Sequence, residues 1–185
     1  MLNEILHLLI NTAAMLYTMV VLMRLLMQLA RADFYNPLSQ FVVKATDPVL
    51  KPLRRIVPGL WGIDLPSLVL AFLVQLAKFV LLLTLSGVGF VPLAYLVLAL
   101  FGVADVALDL MFFAIIIVII ISWVAPGTYN PAASLLRQVT EPIMEPFRRL
   151  IPPMGGLDFS PMIALLVIHI LGNIVLPGFQ AQLMH

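Results

Sequence analysis

Along this chain the apolar positions do not alternate with polar ones; they run on. From Ile5 to Ala30, Leu65 to Leu85, Val103 to Ala125 and Phe159 to Leu176, hydrophobic residues continue with few interruptions by charge. At about 1.5 Å of rise per residue, each run makes a helix able to cross a hydrocarbon core about 30 Å thick, the last at the short end. Phe90 to Phe101 is apolar throughout but only about 18 Å long as a helix, too short to cross alone. It enters and returns, lies at the interface, or lengthens the third helix past Gly102. The stretch from Leu2 to Ala30 lacks a basic start and a cleavage site and is too long for a signal peptide, so it reads as a retained membrane helix.

The segments after the first and third runs have another pattern, and they match each other at a constant offset. Tyr35, Asn36 and Pro37 return 94 positions on as Tyr129, Asn130 and Pro131. Thr46, Pro48, Pro52, Arg54 and Arg55 return as Thr140, Pro142, Pro146, Arg148 and Arg149. Pro58, Gly62 and Asp64 return as Pro152, Gly156 and Asp158. Collinear Pro, Arg, Gly and Asp matches do not arise from shared hydrophobicity; they mark a duplication. The chain therefore reads as an all-α membrane protein of two tandem repeats, residues 1–94 and 95–185. Four transmembrane helices are expected, with short interfacial helices in the two loops.

Each loop carries start and stop signals. Asn36-Pro37 and Asn130-Pro131 have the form of an N-cap followed by a first helical residue with no donor to lose. Thr46-Asp47-Pro48 and Thr140-Glu141-Pro142 repeat that start signal, so the loop is expected as two pieces, the second short, bent by Pro52 or Pro146 and ended by Pro58 or Pro152. Gly62 with Asp64, and Gly156 with Asp158, mark a turn and a cap into the next span.

Charge then orients the chain. Of the 10 Lys and Arg residues, Arg31, Lys44, Lys51, Arg54 and Arg55 lie in the first loop and Arg137, Arg148 and Arg149 in the second. Short loops rich in Lys and Arg stay in the cytoplasm, which places both loops there and both termini outside. An even number of crossings makes the repeats parallel. Composition agrees with lipid as the solvent: 63% hydrophobic, 10% charged and a mean hydropathy of +1.12. The absence of cysteine removes disulfides, thiolate metal sites and cysteine nucleophiles.

The candidate chemistry is sparse. Arg54, Arg55, Arg148 and Arg149 sit beside residues that prefer lipid, and three readings stand: snorkelling anchors on anionic headgroups, a specific anion or partner site, or internal pairs with Asp64 and Asp158. Arg24 reads as an anchor near the cytoplasmic interface. Lys78 lies deeper, and Asp105 and Asp109 share a helix face on which either can pair with it, as a structural ion pair or a cation path. The repeat offset sets Asn11 against Asp105 and Gln75 against His169. His169 and Asn173 share a face suited to gluing helices, to a proton path, or to ligating haem iron. No metal-ligand spacing or nucleophile motif appears, so no enzyme and no cofactor are expected.

The pattern Asn-Pro, Thr-Asp/Glu-Pro-x-x-x-Pro-x-Arg-Arg, Pro-x-x-x-Gly-x-Asp, present twice, resembles the YggT family of integral membrane proteins over essentially the whole chain. The resemblance implies a bacterial inner-membrane protein, links to osmotic stress and potassium uptake, and, through plastid relatives, to haem insertion into a cytochrome complex. It supplies no catalytic residues. Two functions follow: a membrane scaffold or assembly factor docking anionic lipid or a membrane or cytoplasmic protein, without direct contact to nucleic acid, and an ion or solute transporter. A bundle of four helices has little interior for a pore, so transport calls for a homo-oligomer.

Overall fold

In the computed structural model, which describes residues 1–59, 62–87, 91–124, 130–151 and 158–183, the chain folds as helices joined by short links. Four are long and apolar enough to cross a membrane: α1 (Leu2–Leu29), α3 (Leu65–Leu85), α4 (Pro92–Val124) and the run Ser160–Gln182. That last run is α6 (Ser160–Ile170), a π-helical turn at Leu171–Val175, and α7 (Leu176–Leu183). The fourth crossing thus passes beyond Leu176, where apolar continuity alone ended it. Pro177 has no N–H, and the chain accommodates it by widening the preceding turn, with Leu176 N–H reaching the Leu171 carbonyl five residues back.

Pro92–Phe101 proves to be the N-terminal part of α4, one of the three arrangements its length allowed; Phe90 lies outside the described residues. At 33 residues, α4 is about 50 Å long and exceeds the hydrocarbon core. Gly102 is where it meets its neighbour. A Cβ there would lie 2.7 Å from Gln75 Oε1 and 3.0 Å from the Phe79 ring, so only glycine lets α3 and α4 approach this closely. Gln75 is fully buried and donates to Thr18 Oγ1 of α1 at 3.0 Å, tying three spans at one level.

The connecting segments correct one expectation. Instead of two short pieces, each loop forms a single 20-residue helix, α2 (Pro37–Ile56) and α5 (Pro131–Leu150), with Pro48 and Pro52, or Pro142 and Pro146, inside it. Thr46 and Thr140 are not caps; each hydroxyl donates back to a carbonyl four residues earlier, Val42 or Leu136. An interior proline usually breaks a helix because it frees a carbonyl and crowds the turn before it. Here all four prolines lie on the exposed side, spaced by four, where the freed carbonyls can be hydrated. The Asn-Pro starts are as expected: Asn36 Oδ1 accepts from Leu38 N at 3.0 Å and Asn130 Oδ1 from Ala132 N at 2.8 Å. Val57 is extended just before Pro58, as the residue preceding a proline prefers, and ends α2.

Both connecting helices are amphipathic and lay their apolar stripes, Val42 and Leu50 on α2, Leu135, Val139 and Met144 on α5, against one end of the bundle. There the repeats interlock: Asn36 Nδ2 donates to the Pro131 carbonyl at 2.7 Å, and Asp33 N to Gln138 Oε1 at 2.8 Å. The pairing of repeats is not symmetric along the spans, because α3 packs on α4 whereas α6 makes no corresponding contact with α1 among the described residues.

Candidate functional site

The four arginines of the repeated motif fall at the C-terminal ends of α2 and α5, where a cation also suits the helix dipole. They divide by role. Arg54 Nη2 donates to Asp64 Oδ2 at 2.6 Å, and the same oxygen accepts from the Ser67 hydroxyl at 2.6 Å, so Arg54 closes the turn that leads into α3. Gly62, with φ of +80°, makes that turn possible. In the second repeat Arg148 Nε donates to Asp158 Oδ2 at 3.2 Å, and Asp158 Oδ1 accepts the N–H and hydroxyl of Ser160 at the start of α6. The internal pairing expected as one of three readings is thus made by Arg54 and Arg148. Tyr129, Pro152 and Gly156 lie outside the described residues.

Arg55 and Arg149 point outward, and their surroundings differ. Arg149 pairs with Glu145 one turn back, and Arg148 has Glu141 as a second partner. Arg55 has no hydrogen-bond or charged partner among the described residues. Lys44 and Lys51 stand near it on the exposed side of α2, and only Lys51 is engaged, with Asp47 at 2.9 Å. At 100° per residue, Lys44, Lys51 and Arg55 share one flank of that exposed side, while Leu38, Val49 and Ile56, all exposed, share the other.

Arg24 corrects an expectation: it is a buried tie and not a surface anchor. It is 6% exposed, and its Nη1 donates to the Val43 carbonyl at 3.1 Å, Thr46 Oγ1 at 2.6 Å and Asp47 Oδ1 at 2.7 Å. A guanidinium placed one and a half turns before the end of α1 can reach α2 because α2 folds back against it. The bond from Lys51, with the Arg24 pair, holds the Asp47 carboxyl below its ordinary value against the opposing effect of burial. At Asp158 burial pushes the carboxyl upward, but the Ser160 bonds and Arg148 outweigh it, and the net shift is downward. One signal for the Arg24 site was present: the position 94 residues on is Val118, so the arginine is peculiar to the first repeat.

A family model described as CCB3/YggT matches the chain twice, over residues 3–85 and 97–179. The chain belongs to the CCB3/YggT family. The two matched stretches fall on the two repeats, and with four apolar helices they give a multi-pass helical membrane protein. Within this family the chain is 49% identical to an uncharacterised protein of Pseudomonas aeruginosa, over 94% of this chain and 89% of the relative. It is 40% identical to the uncharacterised protein YggT of Escherichia coli K12, over 95% and 97%, and 42% identical to a protein of Vibrio alginolyticus, over 91% and 94%. No solved structure matches the chain.

The polar groups in the spans do not gather into one centre. Lys78 does not form the direct ion pair expected with Asp105 or Asp109; its Nζ lies 4.2 Å from the centroid of the Phe79 ring, and Asp105 acts on it only through space. Asp105 is exposed on α4. Among the described residues no cluster of His, Asp and Glu is arranged to hold a metal ion. His169 meets Asn173, as their spacing on one face implies, and its ring centroid is 6.5 Å from that of Phe112.

Proposed function

We propose that this chain is a non-catalytic scaffold of the bacterial inner membrane, and that the first repeat, on the cytoplasmic side, holds anionic lipid headgroups along α2. One observation carries the reading: α2 presents Lys44, Lys51 and Arg55 on one flank and Leu38, Val49 and Ile56 on the other. A helix lying in the interface has this division, its apolar flank toward acyl chains and its basic flank among phosphates. Rigid support comes from Arg24 and Arg54, which spend their charge inside the protein and fix α2 to α1 and α3. The cytoplasmic placement rests on the concentration of Lys and Arg in the two loops.

An ion or solute path is the weaker reading, because at the level of Gln75 the bundle is filled: Thr18, Ala71, Gln75 and Ala99 are all 0% exposed. The test is lipid selectivity in reconstituted membranes. Wild-type protein is expected to enrich phosphatidylglycerol over phosphatidylcholine in its lipid shell. Replacing Lys44, Lys51 and Arg55 together by Ala should remove about 1 kcal/mol per basic residue, roughly fivefold each. Replacing Arg149 alone should change little. Equal retention of both lipids by the wild type overturns the proposal, as does a triple variant that keeps the preference. Photocrosslinking from position 55 in cells that captured a protein and no lipid would reassign the surface to a protein partner.

A further inference from the structure

We infer that the outward side of α6 is the interface between two copies of this chain, paired about a two-fold axis along the bilayer normal, with His169 and Asn173 of each copy bonded to the other. His169 lies nine residues beyond Ser160, about 14 Å along the helix and therefore deep in the hydrocarbon core. It is nevertheless exposed, as is Asn173. Lipid chains offer neither of them a hydrogen bond.

The two residues satisfy each other only in part. Asn173 Nδ2 reaches His169 Nδ1 at 3.1 Å and the His169 carbonyl at 3.1 Å. When Nδ1 accepts that bond, the ring proton sits on Nε2, which is left as a donor. Asn173 Oδ1 is left as an acceptor. The pair is therefore self-complementary: a second copy related by a two-fold axis presents the same donor and acceptor at the same depth, and both are met twice.

The surrounding spacing is that of a helix seam. Met162, Leu166, His169 and Asn173 are all exposed, and their 4-3-4 separation is the heptad alternation of a left-handed helix pair, with Asn at a position where it fixes register in parallel dimers. The first repeat shows what the same place looks like when covered. Gln75, the counterpart of His169, is enclosed by Thr18 of α1 and Gly102 of α4, while α6 has a span on one side only. The exposed Asn11 and Thr12 of a second copy's α1 fit less well. The Thr18–Gln75 bond sets Thr18 at the level of His169, and Thr12, six residues further along, lies about 9 Å away from it along the helix.

The absence of cysteine from the chain makes the test direct. Single-cysteine variants Met162→Cys and Leu166→Cys, oxidised in native membranes, should yield disulfide-linked dimers, while Leu9→Cys and Leu16→Cys on α1 should not. In liposomes, energy transfer between labelled copies should show that His169→Leu or Asn173→Leu weakens association about 3- to 30-fold. The double variant should be little worse than either single one, because both singles break the same bonds. Crosslinking through α1 without α6, no crosslinking at any of these positions, or association indifferent to both polar residues would each overturn the inference.

Discussion

The two repeats use one frame and spend its charges differently. In the first, Asp47 is taken by Arg24 and Lys51, Arg54 is left to Asp64 alone, and Arg55 remains free among the described residues. In the second there is no arginine in the preceding span, because Val118 stands at that place. Glu141 then falls to Arg148, which divides itself between Glu141 and Asp158, and Glu145 takes Arg149. Helix α2 carries four basic residues and one acidic, α5 three basic and two acidic. The shared part is the clamp from the C-terminal end of the connecting helix to the acid before the next span. What diverged is how much positive charge remains for anything outside.

The most damaging way to break this comparison is at Arg24. Arg24→Leu removes the buried guanidinium shared by three acceptors on α2, and although Asp47 keeps Lys51, the loss should be about 3 kcal/mol, the upper end of the range for hydrogen bonds to charged groups. The matched change Val118→Leu in the second repeat should stay within about 1 kcal/mol, since it alters only a methylene-sized volume in a span. Unfolding in mixed micelles with increasing dodecyl sulfate measures both. Equal losses would mean that α1 does not depend on the arginine for holding α2.

The two clamps should differ in the same direction by less. Asp64 is 4% exposed and receives both Arg54 and Ser67, whereas the Asp158 side chain is 38% exposed and its arginine has a second acid. Asp64→Ala is expected to cost about 1.5–3 kcal/mol, the range for hydrogen bonds to charged groups. Asp158→Ala should cost about 1 kcal/mol, chiefly the lost start of α6 at Ser160. A reversed order in the same denaturation assay would show that exposure does not govern the clamp.

Much of this arrangement was legible before any geometry. Long apolar runs gave the spans, the 94-residue offset gave the duplication, and Asn36-Pro37 and Asn130-Pro131 marked two helix starts that form where expected. Internal pairing of Arg54 with Asp64 was one of several readings, and nothing short of the fold could choose it. Pro48 and Pro52 misled because a proline read in a string is a breaker, while its actual cost depends on which side of the helix the freed carbonyl faces. Arg24 misled for a similar reason: its partners Thr46 and Asp47 lie 22 and 23 residues away, and only the return of α2 along α1 makes them neighbours. The exposure of His169 beside the burial of Gln75 is also a fact of packing, since both positions carry polar side chains in apolar runs.

Acid provides the finest separation of the repeats. Asp47 and Asp158 are both held below the ordinary carboxylate value of 3.8 in the folded chain. A depressed folded value means that the stabilisation is fully present above the unfolded value and is lost as pH falls through the folded one. Both repeats should therefore loosen only on the acid side, below about pH 4. They should not loosen equally in consequence. Protonating Asp47 leaves the buried Arg24 facing a neutral acid, whereas Arg148 beside Asp158 is largely open to water, which can take the place of the lost charge. Asp47→Asn should accordingly flatten the acid limb of the stability curve more than Asp158→Asn, by an amount of order 1 kcal/mol at most, given the partial exposure of both carboxylates. Denaturation midpoints of the two variants between pH 3 and 6 measure the difference, and an acid limb left unchanged by Asp47→Asn would detach the Arg24 tie from the pH response.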